Sequence, residues 1–210
     1  ALFNAPFAEN GSYGEQGAYL GWNWELNSWL ALKGYLDLYR FQWLRFRIDA
    51  PASGRELLFQ GDLQWQDNWN AYIRWRKDLR TVTASQSEGD ALAQLIPQNR
   101  ENLRVHLDYR PHPHWELSSR WEGRFFREGD QREQGFLWLQ DLRYRWPGLP
   151  LKLTARYALV RTPSFDSRIY AYEHDLLYAF SIPAYYGEAQ RCYLLGQWNY
   201  SENLSLQMKY

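Results

Sequence analysis

The chain has 210 residues, 24 basic and 24 acidic side chains and one cysteine, a length that suffices for one domain with a core or a closed barrel. No run of about 18 apolar residues occurs, which excludes a transmembrane helix, and zero net charge supplies no global field toward nucleic acid or an anionic membrane. Cys192 alone allows no internal disulfide and no cysteine metal cluster.

Mean hydropathy is −0.66 although aromatics make up 18%, so apolar residues are interspersed with polar ones, as in a sheet. Only Lys33, Lys77, Lys152 and Lys209 are lysines and the remaining cations are arginines, the residue suited to pairing in a fixed fork; part of this charge is expected to be paired, not freely solvated. No signal peptide opens the sequence, so ALFNAPFAENG reads as a mature N-terminus or an internal cut. Residues 1–16 are expected to be an extension ahead of a strand-rich region, 17–210.

Strands are expected near 17–25, 29–41, 57–65, 69–78, 102–110, 115–126, 135–146, 151–161, 189–199 and 203–210. Trp69, Ala71, Ile73 and Trp75 alternate with Asn70, Tyr72, Arg74 and Arg76. Leu103, Val105, Leu107 and Tyr109 alternate with Arg104, His106, Asp108 and Arg110, and Leu151, Leu153, Ala155, Tyr157 and Leu159 with Lys152, Thr154 and Arg156. Phe136, Trp138, Leu142, Tyr144 and Trp146 stand against Asp141, Arg143 and Arg145. This period of two gives each strand one apolar and one charged face. GDALAQLI, 89–96, is the best helical stretch and is read as part of a loop.

Tight turns rich in Asn, Asp, Pro and Gly are expected at 25–29, 65–69, 110–115, 146–150 and 199–204. Longer links are expected at 42–56, 79–101, 127–134 and 161–188. Short and long links therefore alternate, as in an outer-membrane barrel with short periplasmic turns, and strands of about 9 to 11 residues suffice to cross at a tilt. Trp29, Trp65, Trp69, Trp115 and Trp146 lie beside the short turns, where an interfacial girdle belongs. The expected fold is all-β: an antiparallel transmembrane β-barrel with about 10 to 12 strands in this chain, either complete or part of a larger barrel. The competing architecture is a soluble all-β module whose apolar face packs inward around an apolar ligand.

Candidate lumen charges are Arg74, Arg104, Arg110, Arg120, Arg124, Arg143, Arg145, Arg156, Asp108, Glu122 and Asp141, with Arg76, Asp62 and Glu116 nearby in the pattern. DSRIYAYEHDLLYAFSIPAYYG, 166–187, interrupts the alternation between Pro163 and Pro183. Its Asp166, Arg168, Tyr170, Tyr172, Glu173, His174, Asp175, Tyr185 and Tyr186 form a candidate recognition or constriction loop that folds inward, stands up as a wall or meets a partner. His112 and His114 in PHPH read as a solvated turn, not a metal site. Glu173 and Asp175 flank His174, with Ser164, Ser167 and Ser181 close by, but no Gly-x-Ser-x-Gly elbow frames these serines. No catalytic, metal or cofactor site is expected, and the arginine row reads first as structural charge pairing.

LDLYRFQWLRFRIDAPASG (36–54), QGFLWLQDLRYR (134–145) and the 166–187 stretch resemble the C-terminal barrel region of helix-hairpin-helix-containing outer-membrane proteins of Bacteroidetes-type bacteria, over roughly 29–210. Longer members of that family carry DNA-binding-like helix-hairpin-helix elements ahead of the barrel, a segment this sequence does not show. With the strand and turn pattern, the expected function is that of a non-enzymatic, porin-like protein of the bacterial outer membrane, a channel component or a scaffold in an envelope complex. Its implied partners are outer-membrane lipid and other envelope proteins or missing barrel strands; nucleic acid is not expected from this chain.

Overall fold

A computed structural model describes residues 14–43, 50–83, 95–201 and 204–210. The strands are β1 (Glu15–Glu25), β2 (Leu30–Phe41), β3 (Ala52–Trp65), β4 (Trp69–Thr83), β5 (Leu95–His112), β6 (Trp115–Glu128), β7 (Gln131–Arg145), β8 (Leu151–Arg161), β9 (Ile169–Tyr170), β10 (Ala184–Tyr185), β11 (Glu188–Ser201) and β12 (Leu204–Lys209). Ten form one antiparallel meander in the order β1-β2-β3-β4-β5-β6-β7-β8-β11-β12; β9 and β10 form a separate two-stranded hairpin. The all-β antiparallel expectation holds. The sheet is not closed, however: no pairing joins β1 to β12 among the described residues.

The alternation seen in the sequence becomes two rows of cross-strand neighbours. Lys33, Gln60, Arg74, Arg104 and Glu122 follow one another across β2 to β6, then Leu137 and Val160 on β7 and β8. On the opposite face Leu32, Gly61, Ile73, Val105, Trp121, Trp138 and Leu159 follow one another across β2 to β8. Because side chains on successive residues point to opposite faces, one face is charged and the other apolar. The apolar face is the bare one: Leu20 is 64% exposed, Ile73 50% and Phe59 48%.

At one end the links are short. Asn27 Oδ1 accepts from the backbone N–H groups of Trp29 (3.0 Å) and Leu30 (2.8 Å), an Asx turn that reverses the chain after β1. Aromatic rings border this end. Trp69 stacks on Tyr109 with centroids 3.8 Å apart, Trp115 meets Tyr144 at 4.4 Å, and Tyr144 meets Trp146 edge-on at 5.0 Å.

The other end departs from expectation. β5 is 18 residues long and β4 and β7 are 15 each, so strands continue through much of what reads as links at 42–56 and 79–101. The link expected at 127–134 is a turn of Gly129 and Asp130 between β6 and β7. Gly129 has φ +55°, a conformation that a Cβ disfavours and that tight hairpins need. REGDQREQ is polar because it tips a hairpin, not because it is long. Of 89–96, only Leu95 and Ile96 lie within the described residues, and they open β5 as strand. β1 opens at Glu15, ahead of the boundary expected at 17.

Between β8 and β11 the chain makes one excursion, tied at its base where Thr162 N donates to Gly187 O and Gly187 N to Thr162 Oγ1, both at 2.9 Å. The excursion folds over the charged face. Its Ile169, Ala171 and Tyr185 pack on Leu137, Leu139, Ala158 and Val160, the molecule's buried apolar cluster. Gly135 permits the approach, since a Cβ there would stand 2.9 Å from the Ser167 carbonyl and 2.8 Å from Thr162.

Candidate functional site

The charged face and the infolded loop make one site. Its floor begins with a problem: Arg74 and Arg104 are direct cross-strand neighbours, and like charges so placed repel. They turn apart. Arg74 Nε donates to Gln60 Oε1 at 2.5 Å, while Arg104 Nε donates to Glu122 Oε2 at 2.8 Å. Glu122, 3% exposed, also accepts from Arg120 Nε at 3.0 Å and from Asn102 Nδ2 at 3.0 Å. A carboxylate held this far from water needs such donors, because an unpaired buried charge is very costly.

Toward the short-turn end, Glu116 draws in Arg143 at 2.6 Å, Arg110 at 3.8 Å and Arg145 at 4.0 Å. Asp108 accepts from Ser118 Oγ at 2.5 Å and has His106 at 3.2 Å. On the β7–β8 wall, Asp141 is gripped by both Arg156 Nε and Nη2 at 2.5 Å, the bidentate fork characteristic of arginine. All eleven expected lumen charges lie on this face. Arg124, like Arg74, bonds an amide and not a carboxylate: its hydrogen bond goes to the Asn102 side chain.

Several contacts from the strands hold the loop. Arg120 Nη2 donates to the Tyr170 carbonyl at 3.0 Å and Arg156 Nη1 to the Tyr172 carbonyl, so strand arginines bind loop backbone directly. Glu173, fully buried, accepts from Tyr185 Oη at 2.5 Å and pairs with Arg191 of β11 at 3.0 Å and Lys209 of β12 at 3.7 Å. His174 N donates to Tyr193 Oη at 3.0 Å, and its ring lies 3.4 Å from Asp141 and 3.2 Å from Arg143 Nη2. The Leu176 N–H beside Asp175 (2.9 Å) and Lys209 at 3.3 Å hold the Asp175 carboxyl below its ordinary range.

The remaining loop residues are divided. Arg168 lies over the Phe165 ring at 4.0 Å and donates to Tyr170 Oη at 2.7 Å. Tyr186 meets Phe165 edge-on, and Tyr170, Tyr172 and Tyr186 are about half exposed. Asp166 is exposed, its N–H bonded to Ser164 Oγ. Tyr185 differs from the other tyrosines in being buried.

Beneath the loop a cavity of about 250 Å³ remains, lined by Tyr72, His106, Asp108, Arg120, Arg143 and Tyr172 among others. A second hollow of about 380 Å³ lies between β1 and β5 near the short turns, with Lys33, Asp62 and Asp108 in its wall. The site's chemistry is that of a fixed charge framework. Glu173 and Asp175 flank His174 in sequence, but the side chains at its ring are Asp141 and Arg143. Among the described residues no three His, Cys, Asp or Glu side chains converge as metal donors.

No family model, curated protein or solved structure matches the chain.

Sequence reasoning missed Glu56, Arg80, Gln98 and Arg100, which continue the charged face beyond the expected strand ends. Arg76 Nη2 meets Glu56 at 2.7 Å, and Arg80 Nε donates to Gln98 Oε1 at 2.8 Å. RKDLRTVT and QNRENL carry no sustained apolar alternation, with polar residues on both faces, so they read as loop.

Proposed function

We propose that the chain is a non-enzymatic outer-membrane β-barrel protein or barrel segment, a channel component or scaffold of a bacterial envelope complex, as the family resemblance implies. One observation carries the reading: large apolar side chains stand bare on one face, while Glu122, Asp141 and Glu173 are buried on the other. A soluble module does the reverse, since an exposed apolar surface of this extent exceeds what a soluble monomer tolerates. Lipid satisfies the apolar face, and the charged face becomes the lumen lining. In lipid an open sheet edge leaves backbone groups unsatisfied, so β1 and β12 close on each other or on further strands.

The loop over the charged face narrows the interior, and its exposed tyrosines and Phe180 offer a surface to envelope partners. Membrane extraction tests this. The chain should resist carbonate, require detergent, and migrate as a heat-modifiable species; a monodisperse product without detergent would exclude lipid contact and restore the soluble binding module.

A further inference from the structure

The arginines at the long-loop end of the charged face are not paired like the rest. The Arg100 side chain of β5 has no hydrogen bond or ion pair among the described residues; it lies over the Phe126 ring, 5.8 Å from its centroid, and its Nε is buried without an acceptor. Arg80, Arg124 and Arg168 stand close enough to repel its charge. None of those three has a carboxylate partner either: Arg80 bonds to Gln98, Arg124 to Asn102, and Arg168 to Tyr170 Oη and the Phe165 carbonyl. The Nε of Arg124 is likewise buried and unsatisfied.

Asp78 faces Arg100 directly across the β4–β5 pair, yet no ion pair forms and its Oδ1 is also without a donor. Elsewhere on this face carboxylates draw arginines in closely, as Glu122, Glu116 and Asp141 do. Four guanidinium groups from three neighbouring strands and the loop thus stand without a carboxylate in contact, Asp78 facing Arg100 across the β4–β5 pair and Glu128 being reached only through Gln98. Planar forks with free donors and surplus positive charge are what a multivalent oxyanion requires.

We infer that Arg80, Arg100, Arg124 and Arg168 form a binding site for a small phosphorylated or polycarboxylate solute at the long-loop end of the charged face. This rests on the proposed function only in naming that face the lumen. Arg168 gives the site a further property: it belongs to the loop, so a bound anion ties the loop to β4, β5 and β6.

The test uses the full chain refolded in detergent and titrated calorimetrically with pyrophosphate at fixed ionic strength, with heat-modifiability as the check of folding. Saturable binding is expected, weakened about tenfold or more by Arg100→Gln or Arg124→Gln and unchanged by Arg145→Gln at the opposite end. No saturable binding, or equal binding by all three variants, would overturn the site. Mixed micelles containing phosphatidic acid should not displace pyrophosphate; displacement would make the ligand a lipid headgroup. A folded chain that binds pyrophosphate yet passes no current loses the channel and keeps the site, whereas one that conducts without binding loses the site alone.

Discussion

At the residue scale the molecule turns on which side chains are allowed to be bare. Leu107 and Leu153 lie on the apolar face toward the short-turn ends of β5 and β8, Leu153 beside Tyr144 of the aromatic border, and Thr154 lies on the charged face. An arginine at the bilayer midplane costs about 2 to 4 kcal/mol. Leu107→Arg should therefore lower the unfolding free energy in lipid by about that amount and Leu153→Arg, nearer the aromatic border, by less, measured by denaturant titration, with Thr154→Ala costing least. Arg104→Ala also leaves Glu122 with Arg120 as its arginine partner. Glu173 makes the sharper case because it serves the loop alone. Glu173→Gln removes the charge that Arg191 and Lys209 meet and should raise hydrogen exchange across 166–187 by about tenfold, while exchange in β4 to β7 stays unchanged.

At the scale of elements, the alternating strands were legible because each buries one chemistry and shows another. Their lengths were not. A polar residue on the lumen face of a protruding strand is indistinguishable in sequence from a polar loop, which is why β5 reaches Leu95 and not 102. The infolded loop did leave a trace. Phe136, Leu137, Trp138 and Leu139 are apolar on both faces, as are Ala158, Leu159 and Val160, and strands apolar on both faces are covered on both faces. Leu137 and Val160 are the residues beneath Ile169 and Tyr185. Among the loop tyrosines expected to serve recognition or constriction, Tyr185 is instead core. Replacing Tyr170, Tyr172 and Tyr186 with Ser should preserve the folded state. Tyr185→Ser should loosen loop docking by about 3 kcal/mol through the lost ring and hydrogen bond, seen as new protease cleavage between 163 and 187.

At the scale of the whole molecule, ten meandering strands form one antiparallel sheet whose charged face is cross-linked by ion pairs, the arginines at the long-loop end apart, while its apolar face stands bare. That asymmetry was legible in the composition, where zero net charge coexists with many arginines. The side on which the loop lies was not, since period two sorts residues into faces without saying which is inner. On the charged face of β4 to β8 basic residues outnumber acidic ones, so reconstituted chain in a planar bilayer under a salt gradient should show a small anion-selective current. Cation selectivity would contradict the charge assignment, and no current would favour the scaffold. The most direct measurement places nitroxide labels, one at a time, at Leu107→Cys, Ile73→Cys and Leu153→Cys in a Cys192→Ser background in liposomes. Lipid contact is expected to give each label high collision rates with oxygen and low rates with a water-soluble nickel chelate. Ready access of the chelate to all three would contradict an apolar face that meets lipid.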